Sequence, residues 1–240
     1  MTRIQDYMVE ANPWWKADFH ISFKHRDIYE KIQKYLPLRQ IIALVGLRRV
    51  GKTTILLKII ENQIETRFDP HHVLYISFDE FQSEELRSVI EEYRILLNLN
   101  LKEDNYLILF DEIQKLKNWE NQLKSLYDLN SNIKILISGS ESLFLHKTSK
   151  ETLAGRIFTF KIHPLTFHEY LKFRDQVFLP IKLYRHELAK LWKEYLYCQG
   201  FPEMVGINDP EIIQRYLKES LVEKILFRDI VKSVQKFIPL

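Results

Sequence analysis

The chain has 240 residues, enough for one large or two small domains with an ample core. Hydrophobic residues make up 46% and charged residues 28%, and the net charge of +3 is too small to argue by itself for nucleic acid or a membrane. A single cysteine, Cys198, excludes an intrachain disulfide or a cysteine zinc cluster, the apolar runs are too short for a transmembrane helix, and the start lacks a secretory signal, so a cytoplasmic location is expected.

In chain order, an N-terminal segment containing Asn12-Pro13-Trp14-Trp15 leads to the apolar run Ile41–Val45, which reads as a buried strand. The polar, glycine-containing stretch Gly46–Thr54 follows, and then Ile55, Leu56, Ile59 and Ile60 recur at helical spacing. Further strands are predicted at His72–Phe78, Tyr106–Phe110, Ile133–Ile137 and Arg156–Ile162, with helices at Ser83–Leu97 and Trp119–Leu129 between them. Strands alternating with helices imply an α/β fold with a parallel sheet covered on both faces. After Pro164 the pattern turns helical, at Phe167–Arg174, Arg185–Cys198, Pro210–Lys218 and Glu219–Lys232. No glycine- or serine-rich linker and no internal repeat interrupts the chain, so the boundary rests on this change of pattern. Residues 1–164 are expected to form the core with an N-terminal anchor, and 165–240 a helical region.

The stretch Gly46-Leu47-Arg48-Arg49-Val50-Gly51-Lys52-Thr53-Thr54 fits G-x-x-x-x-G-K-[ST] between a strand and a helix, the context this phosphate-binding loop requires. Its glycines let the backbone turn tightly so that successive N–H groups converge on phosphate oxygens. The helix N-terminus adds its dipole and unpaired amides. Lys52 is placed to bridge the β- and γ-phosphates, and the Thr53 hydroxyl to ligate Mg²⁺. Arg48 and Arg49 raise the positive potential of the loop and are candidates for a DNA backbone contact, although no basic stripe accompanies them.

The strand at Tyr106–Phe110 ends in Asp111-Glu112, at the edge where open parallel sheets bind ligands. Asp111 is placed to hold Mg²⁺ through its water shell, and Glu112 to polarise an attacking water. The strand Ile133–Ile137 ends in Ser138-Gly139-Ser140-Glu141-Ser142. Ser138 or Ser140 can orient that water or sense the γ-phosphate, while Ser140 or Ser142 equally suits a helix N-cap.

With these elements in order, the chain resembles the archaeal-type ATPase family of the AAA+ superfamily of P-loop NTPases, near the STAND signal-transduction NTPases. The resemblance runs through Asn12-Pro13-Trp14-Trp15, Arg26-Asp27-Ile28-Tyr29, the loop to Thr54, Phe110-Asp111-Glu112-Ile113-Gln114 and Ser138-Gly139-Ser140. It continues in Leu153-Ala154-Gly155-Arg156, Pro164-Leu165-Thr166-Phe167-His168-Glu169-Tyr170 and Gly200-Phe201-Pro202. It implies a five-stranded parallel sheet in the order 5-1-4-3-2, a C-terminal helical lid, and ATP/ADP with Mg²⁺ as ligands. It also implies a further C-terminal domain, expected to be missing because the chain stops at Leu240, just after Arg228-Asp229-Ile230. By the same resemblance, Arg156 is either an arginine finger, within the chain or toward a neighbour, or a strand-end arginine paired with a carboxylate. Pro202 resembles the Gly-x-Pro signature of the lid beside base and sugar, or is a plain helix-breaking turn.

Trp14 and Trp15 suit either adenine stacking or an apolar anchor on the core. His71-His72 lack further ligands at metal spacing, and His163 and His168 read as packing residues. The expectation is an ATPase hydrolysing ATP as a switch or motor on a DNA or protein client, with no membrane partner and with homo-oligomerisation open. The rival readings are a small-molecule kinase and a DNA-tethered module that binds ATP without hydrolysing it.

Overall fold

The computed structural model describes residues 2–79, 85–140, 143 and 151–222. They fall into two compact units: Met1–Gly46 with Gly51–Ile162, and Leu47–Val50 with the chain from His163 onward.

The first unit is built on strands β1 (Ile41–Val45), β2 (Val73–Ser77), β3 (Tyr106–Asp111), β4 (Ile133–Gly139) and β5 (Ile157–Lys161). They form one five-stranded sheet in the order β2-β3-β4-β1-β5, and every neighbouring pair is parallel. This is the expected order 5-1-4-3-2. Every residue of β1, β2 and β3 is buried, which explains why those strands read as continuous apolar runs rather than alternating ones. Each such Ile or Leu contributes about 1.5–3 kcal/mol by leaving water. Around the sheet lie α1 (Arg3–Ala11), α2 (Asp27–Gln33), α3 (Lys52–Thr66), α4 (Leu86–Leu97) and α5 (Trp119–Leu129). Ile55, Leu56, Ile59 and Ile60 are the buried stripe of α3, as their spacing requires.

Two helices escaped the sequence reading. The first, α1, starts in a capping box: Thr2 accepts from the Gln5 N–H and the Gln5 side chain returns to the Thr2 backbone. It buries only Met8, and α2 only Tyr29 and Ile32, too little to stand out as periodicity. Of the predicted strands, β2 and β5 lose a residue at each end, His72 for example belonging to the 3₁₀ turn Pro70–His72, while β3 and β4 run on to Asp111 and Gly139. The expected helix start at Ser83 lies outside the described residues, and α4 runs from Leu86.

The N-terminal segment has a specific task at β2, the edge strand of the sheet. Trp14 and Trp15 both donate indole N–H to the Val73 carbonyl, at 3.0 and 2.9 Å. The Asn12 amide takes the Tyr75 N–H at 2.6 Å and donates to the Tyr75 carbonyl at 3.0 Å. The Tyr7 hydroxyl accepts from the Ser77 N–H and donates to its carbonyl, at 3.0 and 3.2 Å. Side chains thus satisfy alternate residues along an edge that would otherwise template another strand.

The second unit carries α6 (Phe167–Phe173), α7 (Arg185–Cys198), the 3₁₀ turn Pro202–Met204, α8 (Pro210–Tyr216) and a π-helical continuation at Leu217–Val222. A Thr166–Glu169 capping box opens α6. The helix predicted at Glu219–Lys232 lies outside the described residues beyond Val222. Phe167, Tyr170, Trp192 and Tyr195 pack ring on ring between α6 and α7. After α7 the chain turns through Gln199 and Gly200, both at positive φ. Only glycine fits the second position, where a Cβ would stand 2.4 Å from the Leu165 carbonyl oxygen.

Candidate functional site

Parallel register sets which residues meet. Val45 is opposite Gly139 and Phe110 opposite Ile137, so β1, β3 and β4 end together. That edge collects Gly46, Asp111-Glu112 and Ser138-Gly139, segments far apart in sequence. Gly46 must be glycine, because a Cβ there would lie 2.2 Å from the Ile162 carbonyl oxygen. The chain then turns through Arg49 (φ 62) and Gly51 (φ 93). Gly51 is the N-cap of α3, and no side chain caps that helix, leaving its first amides directed toward the loop. Val50 is fully buried, while Thr54 is exposed.

Lys52, 5% exposed, donates to the Gly46 carbonyl at 3.1 Å, and its Nζ lies 3.9 Å from Glu112 Oε1. Asp111 is buried at 2% exposure and is ringed by donors. Thr53 Oγ1 donates to Asp111 Oδ2 at 2.6 Å and the Tyr75 hydroxyl to the same oxygen at 2.9 Å. Ser138 Oγ donates to Oδ1, which also accepts the Glu112 N–H at 3.1 Å. Such donors occupy the carboxylate's lone pairs and fix its direction. Glu112 stands at φ 52, a conformation costly for a side chain with a Cβ, and its Oε2 accepts from Gln114 Nε2 at 2.6 Å. Arg26, 4% exposed, approaches Gly51 closely enough that a Cβ there would lie 3.7 Å from the guanidinium.

These donors fit a nucleoside triphosphate with Mg²⁺. A hydroxyl and a carboxylate in contact offer the hard oxygen ligands magnesium requires, and a buried ammonium stands beside the phosphate loop. Arg48, in the second unit, has its Nε buried with no hydrogen-bond partner among the described residues.

Four sequence expectations need correction or refinement. Of the two candidate serines, Ser138 joins the Asp111 cluster; Ser140 is one residue beyond β4, and its carbonyl accepts from the Leu143 N–H. Ser142 lies outside the described residues. Trp14 and Trp15 belong to the anchor, since their indoles are bound at the start of β2, the opposite edge of the sheet. Arg49 does not stand as a free loop charge: its guanidinium meets Glu203 Oε2 at 2.5 Å and lies 5.4 Å from the Tyr216 ring centre. The Tyr216 phenol is pushed up to about 12 by burial and by Glu203.

Arg156 is the fourth. Its carbonyl accepts from the Ile41 N–H, at the start of β1, whereas the phosphate loop follows the end of that strand. Five strand residues separate the two, about 16 Å at 3.3 Å each. A finger acting within the chain is therefore out of reach. The guanidinium pairs with Asp128 at 2.8 and 3.2 Å, which raises the arginine pKa and lowers that of the carboxyl. Pro202 opens a 3₁₀ turn in the second unit.

Tyr75 and Gln114 were not singled out for the site. Nothing in Val-Leu-Tyr-Ile-Ser marks the tyrosine as aimed at another strand's carboxylate; only its hydroxyl in an otherwise apolar run hinted at it. A separate trio, His20, Glu61 and Glu65, brings ligand atoms within 4.8 Å. There Glu61 already takes the Ile21 N–H and the Lys58 ammonium, so its charge is countered.

A family model described as an AAA domain matches residues 38–171, more than half of the chain. The chain belongs to the AAA domain family. Two archaeal relatives come from Methanocaldococcus jannaschii, both uncharacterized: MJ1544, 34% identical over 90% of this chain and 47% of its own length, and MJ1637, 29% identical over 99% and 55%. The chain spans about half the length of the curated relatives it matches. Among solved structures, Cdc6p of Pyrobaculum aerophilum is similar with a TM-score of 0.47 and 14% identity, over 67% of this chain and 51% of that one. Hsp104 of S. cerevisiae in its casein complex gives 0.48 and 16%, over 82% and 38%. Family membership makes this an ATPase-like nucleotide-binding domain. Among the described residues of the AAA domain, no helix is long and apolar enough to cross a membrane.

Proposed function

We propose that this AAA domain binds ATP with Mg²⁺ at the Gly46–Thr54 loop and hydrolyses it to ADP and phosphate, as a switch or motor step on a DNA or protein client. The observation that carries the reading is Asp111 bonded to the Thr53 hydroxyl with Glu112 next to it and 3.9 Å from Lys52. Lys52 and the loop amides hold the phosphates, while Thr53 and Asp111 are the residues that would hold the metal, which supplies charge neutralisation at the phosphates when bound. Glu112 takes the proton of the attacking water as the water oxygen bonds to the γ-phosphorus and the bond to the ADP oxygen breaks. Ser138 steadies Asp111 from the neighbouring strand.

Steady-state phosphate release, with and without DNA, tests this together with thermal melts. ATP·Mg²⁺ at a hundredfold excess over its Kd should stabilise the native chain by about 2.7 kcal/mol. Lys52→Ala should lose that shift. Glu112→Gln should keep it while turnover falls by about 10²–10⁴. An ATP-dependent shift without phosphate release in the native chain would replace hydrolysis with the non-hydrolysing reading. ADP formed only with an added acceptor, which takes up the phosphoryl group so that no free phosphate appears, would point to a kinase.

A further inference from the structure

Gln114 sits in the one-turn 3₁₀ helix Ile113–Lys115 that follows β3. Its Nε2 donates to Glu112 at 2.6 Å. The reverse orientation would set an amide oxygen against a carboxylate, so charge fixes which end faces Glu112. The consequence is that Oε1 is buried without a hydrogen-bond partner among the described residues. Buried acceptors are seldom left unpaired, and one that is calls for a compensating role. A second feature points the same way. A Cβ at Gly139 would stand 2.5 Å from that Oε1, yet Gly139 does not have the positive φ that would demand glycine. The glycine makes space for the amide.

We propose that Gln114 is a positioning residue that holds the Glu112 carboxylate on the attacking water, and that Gly139 is glycine so that the amide can reach. The proposal rests on the hydrolysis reading above. Lys52 Nζ is already 3.9 Å from the other Glu112 oxygen. Released from Gln114, the carboxylate would close on that ammonium, taking the base from the water and the lysine from the phosphates.

The test is a double-mutant cycle on ATP turnover with Gln114→Ala, Gly139→Ala and the pair, and Gln114→Met as a second variant that keeps the side-chain volume. Gln114→Ala and Gln114→Met should each lower kcat on the order of a hundredfold, the cost of misplacing a reacting group by about 1 Å. The ATP-induced thermal shift should remain, which a general loss of structure would not allow. Gly139→Ala should lower kcat similarly in the native background, because its Cβ displaces the amide. Its cost should shrink once Gln114 is alanine, which leaves the flexible Leu143 methyl carbons, at 3.2 Å, as the near neighbours of that Cβ. Native kcat in both Gln114 variants, or a Gly139→Ala effect that simply multiplies with Gln114→Ala, overturns the proposal while hydrolysis by the native chain stands. No turnover in the native chain removes both readings together.

Discussion

Replacing Tyr75 by phenylalanine isolates one hydrogen bond in the site. The ring stays packed at 8% exposure, and the hydroxyl that donates 2.9 Å to Asp111 Oδ2 is lost. Asp111 keeps Thr53 on that oxygen, and Ser138 and the Glu112 N–H on the other. A hydrogen bond to a charged group contributes about 1.5–3 kcal/mol, against about 0.5–1.5 for a neutral acceptor. Tyr93→Phe supplies the neutral comparison in the same unit, since the fully buried Tyr93 donates to the His71 carbonyl. Tyr75→Phe should therefore cost about 2 kcal/mol and Tyr93→Phe about 1. At about 2–4 °C per kcal/mol for a chain of this size, the first corresponds to a Tm lower by about 4–8 °C. Urea titration at constant m-value gives both numbers. If Tyr75→Phe costs no more than Tyr93→Phe, Asp111 is not the charged hub inferred here.

Asn12→Leu, nearly isosteric, should strip the Tyr75 N–H and carbonyl at the sheet edge of their amide partner. With about 1–3 kcal/mol for each buried group so exposed, urea titration should show a loss of about 2–6 kcal/mol. Arg156→Ala should leave ATP binding and unfolding nearly unchanged, because its ion pair with Asp128 is at the surface. Any fall in turnover, together with native turnover that rises with protein concentration, would mark Arg156 as acting on a neighbouring chain's nucleotide. Lys134 donates to the Leu38 and Gln40 carbonyls, and burial, then Arg67, lowers its pKa to about 8 from 10.5. Between these values the unfolded chain binds more protons, so the Lys134 contribution to stability rises with pH. The stability of native chain minus Lys134→Met should accordingly grow from pH 8 to 10, and a flat difference would refute the shift.

The sheet and the loop can be read from local residue patterns alone. Strands buried on both faces must be apolar throughout, and a phosphate loop needs its glycines, lysine and threonine contiguous. Both leave local signatures, so Ile41–Val45, Gly46–Thr54 and Asp111-Glu112 were legible one segment at a time. Which side chains meet across strands is set by register, and so emerges only in the folded chain. Parallel register places Ser138, rather than Ser140, on Asp111, and sends Tyr75 to the same carboxylate from the other side. It also places Arg156 at the far edge of the sheet, a direction no motif encodes. The N-terminal segment was illegible for a related reason. Its helices bury few residues, and Tyr7, Asn12, Trp14 and Trp15 act through one or two polar atoms each on the backbone of β2. Such bonds have no period in sequence; they exist only once the edge strand has formed.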